Sequence, residues 1–221
     1  MTYIIAVAQR KGGVGKTTLA VKIAAELQHR WQGVALIDAD VQESAAQWAE
    51  PGHLQFPVYA HALAEQSISD WVRKFNRIAA NQKYVVVDTA PHERALAASI
   101  AVSNLVLVPC TPSGLDLEAT ARTLEIIEKV REHRKQQPNL IIVPNRVDSR
   151  TLEGRQLVEE LGSFKEIVSS TIGNRSAFVR AFSAGHSVAD TAEGHTAHHE
   201  IELLCDLVEN CLGTKRRASK A

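Results

Sequence analysis

The stretch Gln9-Arg10-Lys11-Gly12-Gly13-Val14-Gly15-Lys16-Thr17-Thr18 limits what this chain can fold into more than any other feature. It follows the apolar run Tyr3-Ile4-Ile5-Ala6-Val7-Ala8 and precedes Leu19-Ala20-Val21-Lys22-Ile23-Ala24-Ala25, an order that predicts strand, glycine-rich turn and helix. Glycines in such a turn let successive backbone N–H groups point inward around phosphate oxygens, and the helix N-terminus adds positive potential there. Lys16 would reach the β/γ-phosphates as a point charge, and the Thr17 hydroxyl would take one Mg²⁺ position. A glycine-rich turn without a ligand would leave Lys16 unexplained.

The rest of the chain repeats short, fully apolar strands of the kind buried on both faces of a parallel sheet. Val34-Ala35-Leu36-Ile37 runs into Asp38-Ala39-Asp40, and Tyr84-Val85-Val86-Val87 into Asp88-Thr89-Ala90-Pro91. Leu105-Val106-Leu107-Val108 and Leu140-Ile141-Ile142-Val143 follow, the latter ending at Pro144-Asn145-Arg146. A short edge strand is expected over 56–59, where a proline is tolerated, and another near Ile167-Val168. Helical spacing of apolar residues predicts helices from Lys16, over 43–49, from about Ser67, and over 115–135, 151–161, 175–184 and 197–212. In the helix after Ser67, Trp71, Val72, Phe75 and Ile78 share a face that reads as core. Strands alternating with helices give an α/β, three-layer fold: a mostly parallel twisted sheet flanked by helices, with right-handed crossovers. One domain over 1–212 and a basic flexible tail over 213–221 account for the chain.

Asp88, after four apolar residues, matches a Walker B aspartate that holds Mg²⁺. Asp38 and Asp40 fall on the same side of an extended segment, where one would support the metal shell and the other orient an attacking water. Lys11 is the unusual residue, since an ordinary P-loop has no need of a cation five positions before Lys16. It is either a solvated loop lysine or a group that stabilises phosphate charge across a dimer interface.

Composition excludes several other readings. Lys+Arg and Asp+Glu are both 25, so no whole-molecule field draws the chain to nucleic acid or anionic lipid, and any such binding needs a local patch. The apolar runs are strand-sized, too short for a membrane span, and a cytoplasmic location is expected. Cys110, Cys205 and Cys211 form no C-x-x-C pair, which argues against a zinc ribbon, a disulfide framework or an iron–sulfur cluster. His195, His198 and His199 read as a solvated helix start in preference to a metal site.

With these residues in place, Lys11-Gly12-Gly13-Val14-Gly15-Lys16-Thr17-Thr18 resembles the deviant Walker A motif of the ParA/MinD family of partitioning and positioning ATPases. Asp38-Ala39-Asp40-Val41-Gln42 is similar to the family's D-x-D-P-Q segment, with valine in place of proline, and Asp88-Thr89-Ala90-Pro91 resembles its Walker B and switch II entry. Asn145-Arg146 resembles its adenine-reading segment, and Phe178, Ala181, Gly185 and Val188 fall in a stretch similar to its late F-x-x-A…G-x-x-V pattern. The resemblance implies a P-loop NTPase with ATP and Mg²⁺ as ligands and an ATP-dependent sandwich homodimer. Lys11 would reach the partner's ATP, Gly12, Gly13, Val14, Gly15, Lys16, Thr17 and Thr18 would hold phosphates, and Thr17 and Asp88 would sit on Mg²⁺. Asp40 would orient water, while Asn145 with Arg146 would read adenine.

The resemblance also divides by surface. Plasmid- and chromosome-type members bind DNA without sequence preference and answer to a ParB-like or other adaptor, whereas MinD-type members carry a membrane-binding helix. Here the P-loop begins so near residue 1 that a preceding helix-turn-helix domain is not expected, and the last helix leads into a tail without a Leu, Phe or Trp wedge. Nonspecific DNA, a nucleoid-associated location and no stable membrane insertion are therefore the expectation, with Arg175, Arg180, Lys215, Arg216, Arg217 and Lys220 as candidate contacts. A MinD-like membrane regulator and a P-loop metabolic ligase or kinase are the alternatives.

Overall fold

The computed structural model of the protein describes residues 1–64, 66–188 and 195–214. Seven strands form one sheet: β1 (Tyr3–Val7), β2 (Val34–Asp38), β3 (Val58–Ala60), β4 (Tyr84–Asp88), β5 (Leu105–Cys110), β6 (Asn139–Pro144) and β7 (Ile167–Val168). Their order is β3-β2-β4-β1-β5-β6-β7, and every pairing is parallel. Among the described residues eight helices accompany them: α1 (Lys16–Trp31), α2 (Ser44–Ala49), α3 (Ile68–Ala79), α4 (Glu93–Val102), α5 (Gly114–Glu132), α6 (Leu152–Gly162), α7 (Ser176–Ser183) and α8 (His195–Leu212).

The layering follows from the period of two along each strand. Ile5, Val7, Leu36, Val86, Leu107 and Ile141 point to one face, where Leu19, Ile23 and Leu27 of α1 and Ile201, Leu204 and Val208 of α8 cover them. Ala6, Ile37, Val85 and Val87 point to the other face against Trp71 and Phe75 of α3. Further along that second face, Val106, Val108 and Ile142 meet Leu96 and Ile100 of α4, Ile126 and Ile127 of α5, and Leu161 of α6.

The register sets up the chemistry. Asp38 and Val7 both lie opposite Asp88, so β2, β4 and β1 end level with one another and the P-loop leaves β1 beside two carboxylates. Successive strands are added on one side of β1 up to β4 and on the other side from β5, which makes the carboxyl end of β1 a topological switch point, the place where open α/β sheets bind ligands.

The outline differs from the sequence-based expectation in details with physical causes. The sheet is wholly parallel among the described residues. Helix α4 was not expected: its apolar contacts, Leu96 and Ile100, are spaced one turn apart in an alanine-rich segment with little contrast between its faces. Helix α5 stops at Glu132, short of residue 135. Strand β3 is one of the two edge strands and starts directly after Pro57, two residues later than expected. Of the basic tail expected over 213–221, Gly213 and Thr214 are described, and residues 215–221 lie outside the described residues.

The last helix is fastened to the P-loop helix by charge. Arg30 of α1 reaches Glu26, Asp206 and Glu209, each at 2.6 Å, and Trp31 Nε1 donates to Glu209 as well. The Glu26 and Glu209 side chains are only 5% exposed, so removing the cation would strand carboxylates where water is scarce. Arg30→Ala is expected to lower unfolding free energy by about 3 kcal/mol or more in urea titration, and a loss below about 1 kcal/mol would show that α8 is held by apolar contact alone.

Candidate nucleotide site

Helix α1 opens at Lys16 behind Gly15, which caps it in the left-handed region at φ 93° and brings no side chain to the first N–H groups. That conformation favours glycine, and the space demands it: a Cβ on Gly15 would lie 2.5 Å from Asn145 Nδ2. Asn145 itself is 4% exposed and donates from Nδ2 to the Val14 carbonyl at 2.7 Å. The end of β6 therefore clamps the turn of the P-loop. Sequence reading assigned Asn145 with Arg146 to adenine; both line the cleft, and the Asn145 amide also holds the loop.

Lys16 is 7% exposed and its Nζ donates to the Lys11 carbonyl at 2.9 Å. Burial pushes its ammonium below the ordinary lysine value, with the Asp88 and Asp40 charges acting the other way. Asp88, 2% exposed, is pushed up to about 7 by burial, with Asp38 and Asp40 adding to the rise; the Thr17 hydroxyl and the Lys16 charge oppose it. A carboxylate so short of compensating charge fits a divalent cation: Asp88 and Thr17 would hold Mg²⁺, which would supply the missing positive charge and screen phosphate oxygens.

Asp38, expected on the metal shell, also organises backbone: its Oδ1 accepts from the Asp40 N–H at 3.1 Å, and its Oδ2 from Ala45 and Ala46 at 2.8 and 3.1 Å, in the first turn of α2. Asp40 is on the cleft wall, its Oδ1 accepting from the Gln42 N–H at 3.1 Å. The paired aspartates thus separate into a loop organiser and a cleft carboxylate.

The arm leading into the P-loop rests on α5 through a buried polar ladder that sequence reading missed. Gln9 Nε2 donates to Thr120 Oγ1 at 3.0 Å and to the Pro109 carbonyl at 3.2 Å, Thr123 Oγ1 donates to Gln9 Oε1 at 2.6 Å, and the Arg10 N–H reaches Thr123 Oγ1 at 3.2 Å. One turn earlier on the same helix, the nearly buried Asp116 takes the Lys11 ammonium and the Thr111 hydroxyl. Asp116, Thr120 and Thr123 share a helix face, and three polar residues at that spacing on an otherwise amphipathic helix were the available signal.

The cleft bounded by these elements has a volume of about 600 Å³. Gly13, Lys16, Thr17, Thr18 and Asp40 line it, together with Asn145 and Arg146 beside the P-loop turn and Gly173, Arg175 and Phe178 from the segment that leads into α7. Gly12 also lines it, whereas Lys11 faces a neighbouring depression with Arg10, Leu115 and Arg122. Of the basic residues expected on a nucleic-acid surface, Arg175 is ion-paired with Glu200, and Arg180 donates to Ser176 Oγ at 3.0 Å. Lys215, Arg216, Arg217 and Lys220 lie outside the described residues. His198 faces Glu202 at 3.7 Å and Glu26 at 3.9 Å.

Comparison with known proteins agrees with this geometry. The model of the CobQ/CobB/MinD/ParA nucleotide binding domain matches residues 5–188, from β1 through the loop beyond α7. The chain belongs to that family. "Maintenance of carboxysome distribution protein A" of Halothiobacillus neapolitanus is 31% identical over 214 residues, covering 93% of this chain and 96% of that protein. Among solved structures, an ATP complex of a Cyanothece McdA variant superposes with a TM-score of 0.77 at 16% identity, over 99% of each chain. Cobyrinic acid a,c-diamide synthase from Mycobacterium smegmatis, with bound ADP and magnesium, superposes at 0.73 and 18% identity over the full length of both. Such low identities speak for the shared fold alone. The P-loop, the parallel sheet and the flanking helices are accordingly those of a ParA/MinD-type positioning ATPase family.

Gly15→Ala tests the cradle directly. The added methyl meets Asn145 Nδ2 and must also hold a positive φ, so nucleotide affinity in calorimetric titration is expected to fall by about tenfold or more, as for loss of charge-assisted bonds. Unchanged affinity would show that the loop does not hold phosphate in this conformation.

Proposed function

We propose that this protein is a ParA-like positioning ATPase that binds ATP and Mg²⁺, closes into a sandwich homodimer around them, binds DNA nonspecifically as that dimer, and hydrolyses ATP when an adaptor engages it. The observation carrying this reading is the placement of Lys11. It belongs to the P-loop, yet its ammonium turns away from the chain's own cleft and pairs with Asp116 on α5, with the side chain 37% exposed. A P-loop cation held outside its own cleft is placed to exchange Asp116 for the phosphates of a second copy. Phosphoryl transfer is catalysed chiefly by positioning and charge stabilisation, so a cation contributed across an interface, a water-orienting Asp40 and the Lys16 charge meet the requirement.

Dimerisation also bears on DNA. A chain with zero net charge holds polynucleotide weakly, and pairing two basic patches on one scaffold raises avidity without any new contact. Arg180 and the tail cations Lys215, Arg216, Arg217 and Lys220 are the candidates, Arg175 being engaged by Glu200. The sequence relative named for carboxysome distribution and another named "Protein ParA" favour a cargo-positioning role, with a plasmid or another cytoplasmic body as the cargo. A MinD-like membrane role has less support. Helix α8 buries Ile201, Leu204 and Val208 in the core instead of offering them to a membrane surface. The synthase neighbour keeps a metabolic ligase as the second reading, one that predicts turnover of a small substrate without DNA or adaptor.

Co-sedimentation with plasmid DNA and with anionic vesicles, at two salt concentrations and with ATP or ADP, separates these readings. DNA binding is expected with ATP·Mg²⁺ alone, weakening as salt rises, and Lys11→Ala is expected to bind ATP normally yet stay off the DNA. Vesicle binding without DNA binding would favour the membrane reading, and no DNA binding in either nucleotide state would remove the partition reading's main support.

A further inference from the structure

The cleft wall formed by the segment before α7 is held from outside, by the C-terminal helix. Glu200, in the second turn of α8, accepts the Gly173 N–H on Oε2 at 3.0 Å. The same carboxylate receives Arg175 Nε at 3.1 Å on Oε1 and 3.0 Å on Oε2, and Arg175 Nη2 on Oε1. Gly173 and Arg175 both line the cleft, whereas Glu200 does not. A Cβ on Gly173 would stand 3.0–3.1 Å from three guanidinium atoms, so Arg175 lies folded back across the glycine backbone, a path that a side chain would obstruct.

The opposite side of this loop is tied to the segment that clamps the P-loop. Val147 N–H donates to the Ile172 carbonyl at 3.0 Å, and Asn174 N–H to the Val147 carbonyl at 3.1 Å, two residues from Asn145. One carboxylate on α8 therefore sets the position of a wall continuous with the phosphate cradle.

We infer that Glu200 is a positioning residue for the nucleobase, holding Gly173 and the Arg175 guanidinium as the surface against which the base packs. The inference rests on reading the cleft as a nucleotide site. The P-loop would take the phosphates, which leaves the Gly173–Arg175 wall of the same cleft for the base. Lys16 faces the phosphates. Arg175, neutralised by Glu200, offers a planar cation that stacks well on heteroaromatic rings without adding net charge beside a neutral base. This also gives Arg175 a place other than the DNA surface.

The test compares Mg²⁺·ATP with Mg²⁺·tripolyphosphate, which carries the phosphates and no base, by titration calorimetry on the full chain. Glu200→Ala is expected to weaken ATP about tenfold, as for loss of hydrogen bonds to a charged group, while leaving tripolyphosphate affinity unchanged. Glu200→Gln, which keeps an acceptor for the Gly173 N–H, should fall between wild type and the alanine variant, with a melting temperature close to wild type. Equal losses for both ligands, or undiminished ATP affinity in Glu200→Ala, would overturn the assignment. A wild-type chain that binds neither ligand would overturn the nucleotide reading and this inference with it.

Discussion

At the carboxyl edge of the sheet, β2 and β4 end in register with an aspartate on each, and the structure of the site follows from how those two charges are satisfied. Buried carboxylates are costly unless hydrogen-bonded or paired. Asp38 is supplied by three backbone N–H groups and in return fixes the start of α2 and the turn that places Asp40 on the cleft wall. Asp88 has only the Thr17 hydroxyl and the Lys16 charge against its burial, and its carboxyl is accordingly pushed up to about 7. The site is short of positive charge beside Asp88, which is where a nucleotide-bound magnesium ion would be most stabilising.

The same economy of charge explains the P-loop arm. Lys16 lies under the loop, bonded to the carbonyl of Lys11, and Lys11 is pulled outward to Asp116. Gln9, Thr120 and Thr123 join the arm to α5, so Lys11 is held against that helix while Lys16 lines the cleft. From its other side the loop is held by Asn145, itself continuous through Val147 with the segment that Glu200 braces. Helices α5 and α8, distant from the phosphates in sequence, are thus both parts of the cradle.

Much of this was legible before the fold was known, and the division is physical. Strands β2, β4 and β5 are buried on both faces, so their apolar runs needed no partner to be recognised. The glycine-rich turn and the strand-end aspartates Asp38 and Asp88 are local patterns as well. What stayed hidden was pairing across long separations: Asp116 meets Lys11 from 105 residues away, and Glu200 meets Arg175 across 25. No local periodicity marks such a carboxylate as a partner, which is why Arg175 read as a surface cation; the bonds of Asp38 are local, but they run to backbone N–H groups two to eight residues on, which a pattern of side chains does not display. Helix α4 escaped because alanine fills its faces nearly evenly, leaving Leu96 and Ile100 as its only strong contrast.

In the proposed cycle ATP is a signal for assembly, with the P-loop serving as half of a dimer interface. Light-scattering mass measurement of the Asp40→Ala variant isolates that step, since loss of the carboxylate proposed to orient water should hold the ATP state without turnover. About twice the 24.2 kDa chain mass is expected with ATP·Mg²⁺ and the single-chain mass with ADP. A single-chain mass in both nucleotide states, at concentrations where ATP is shown to be bound, would contradict it.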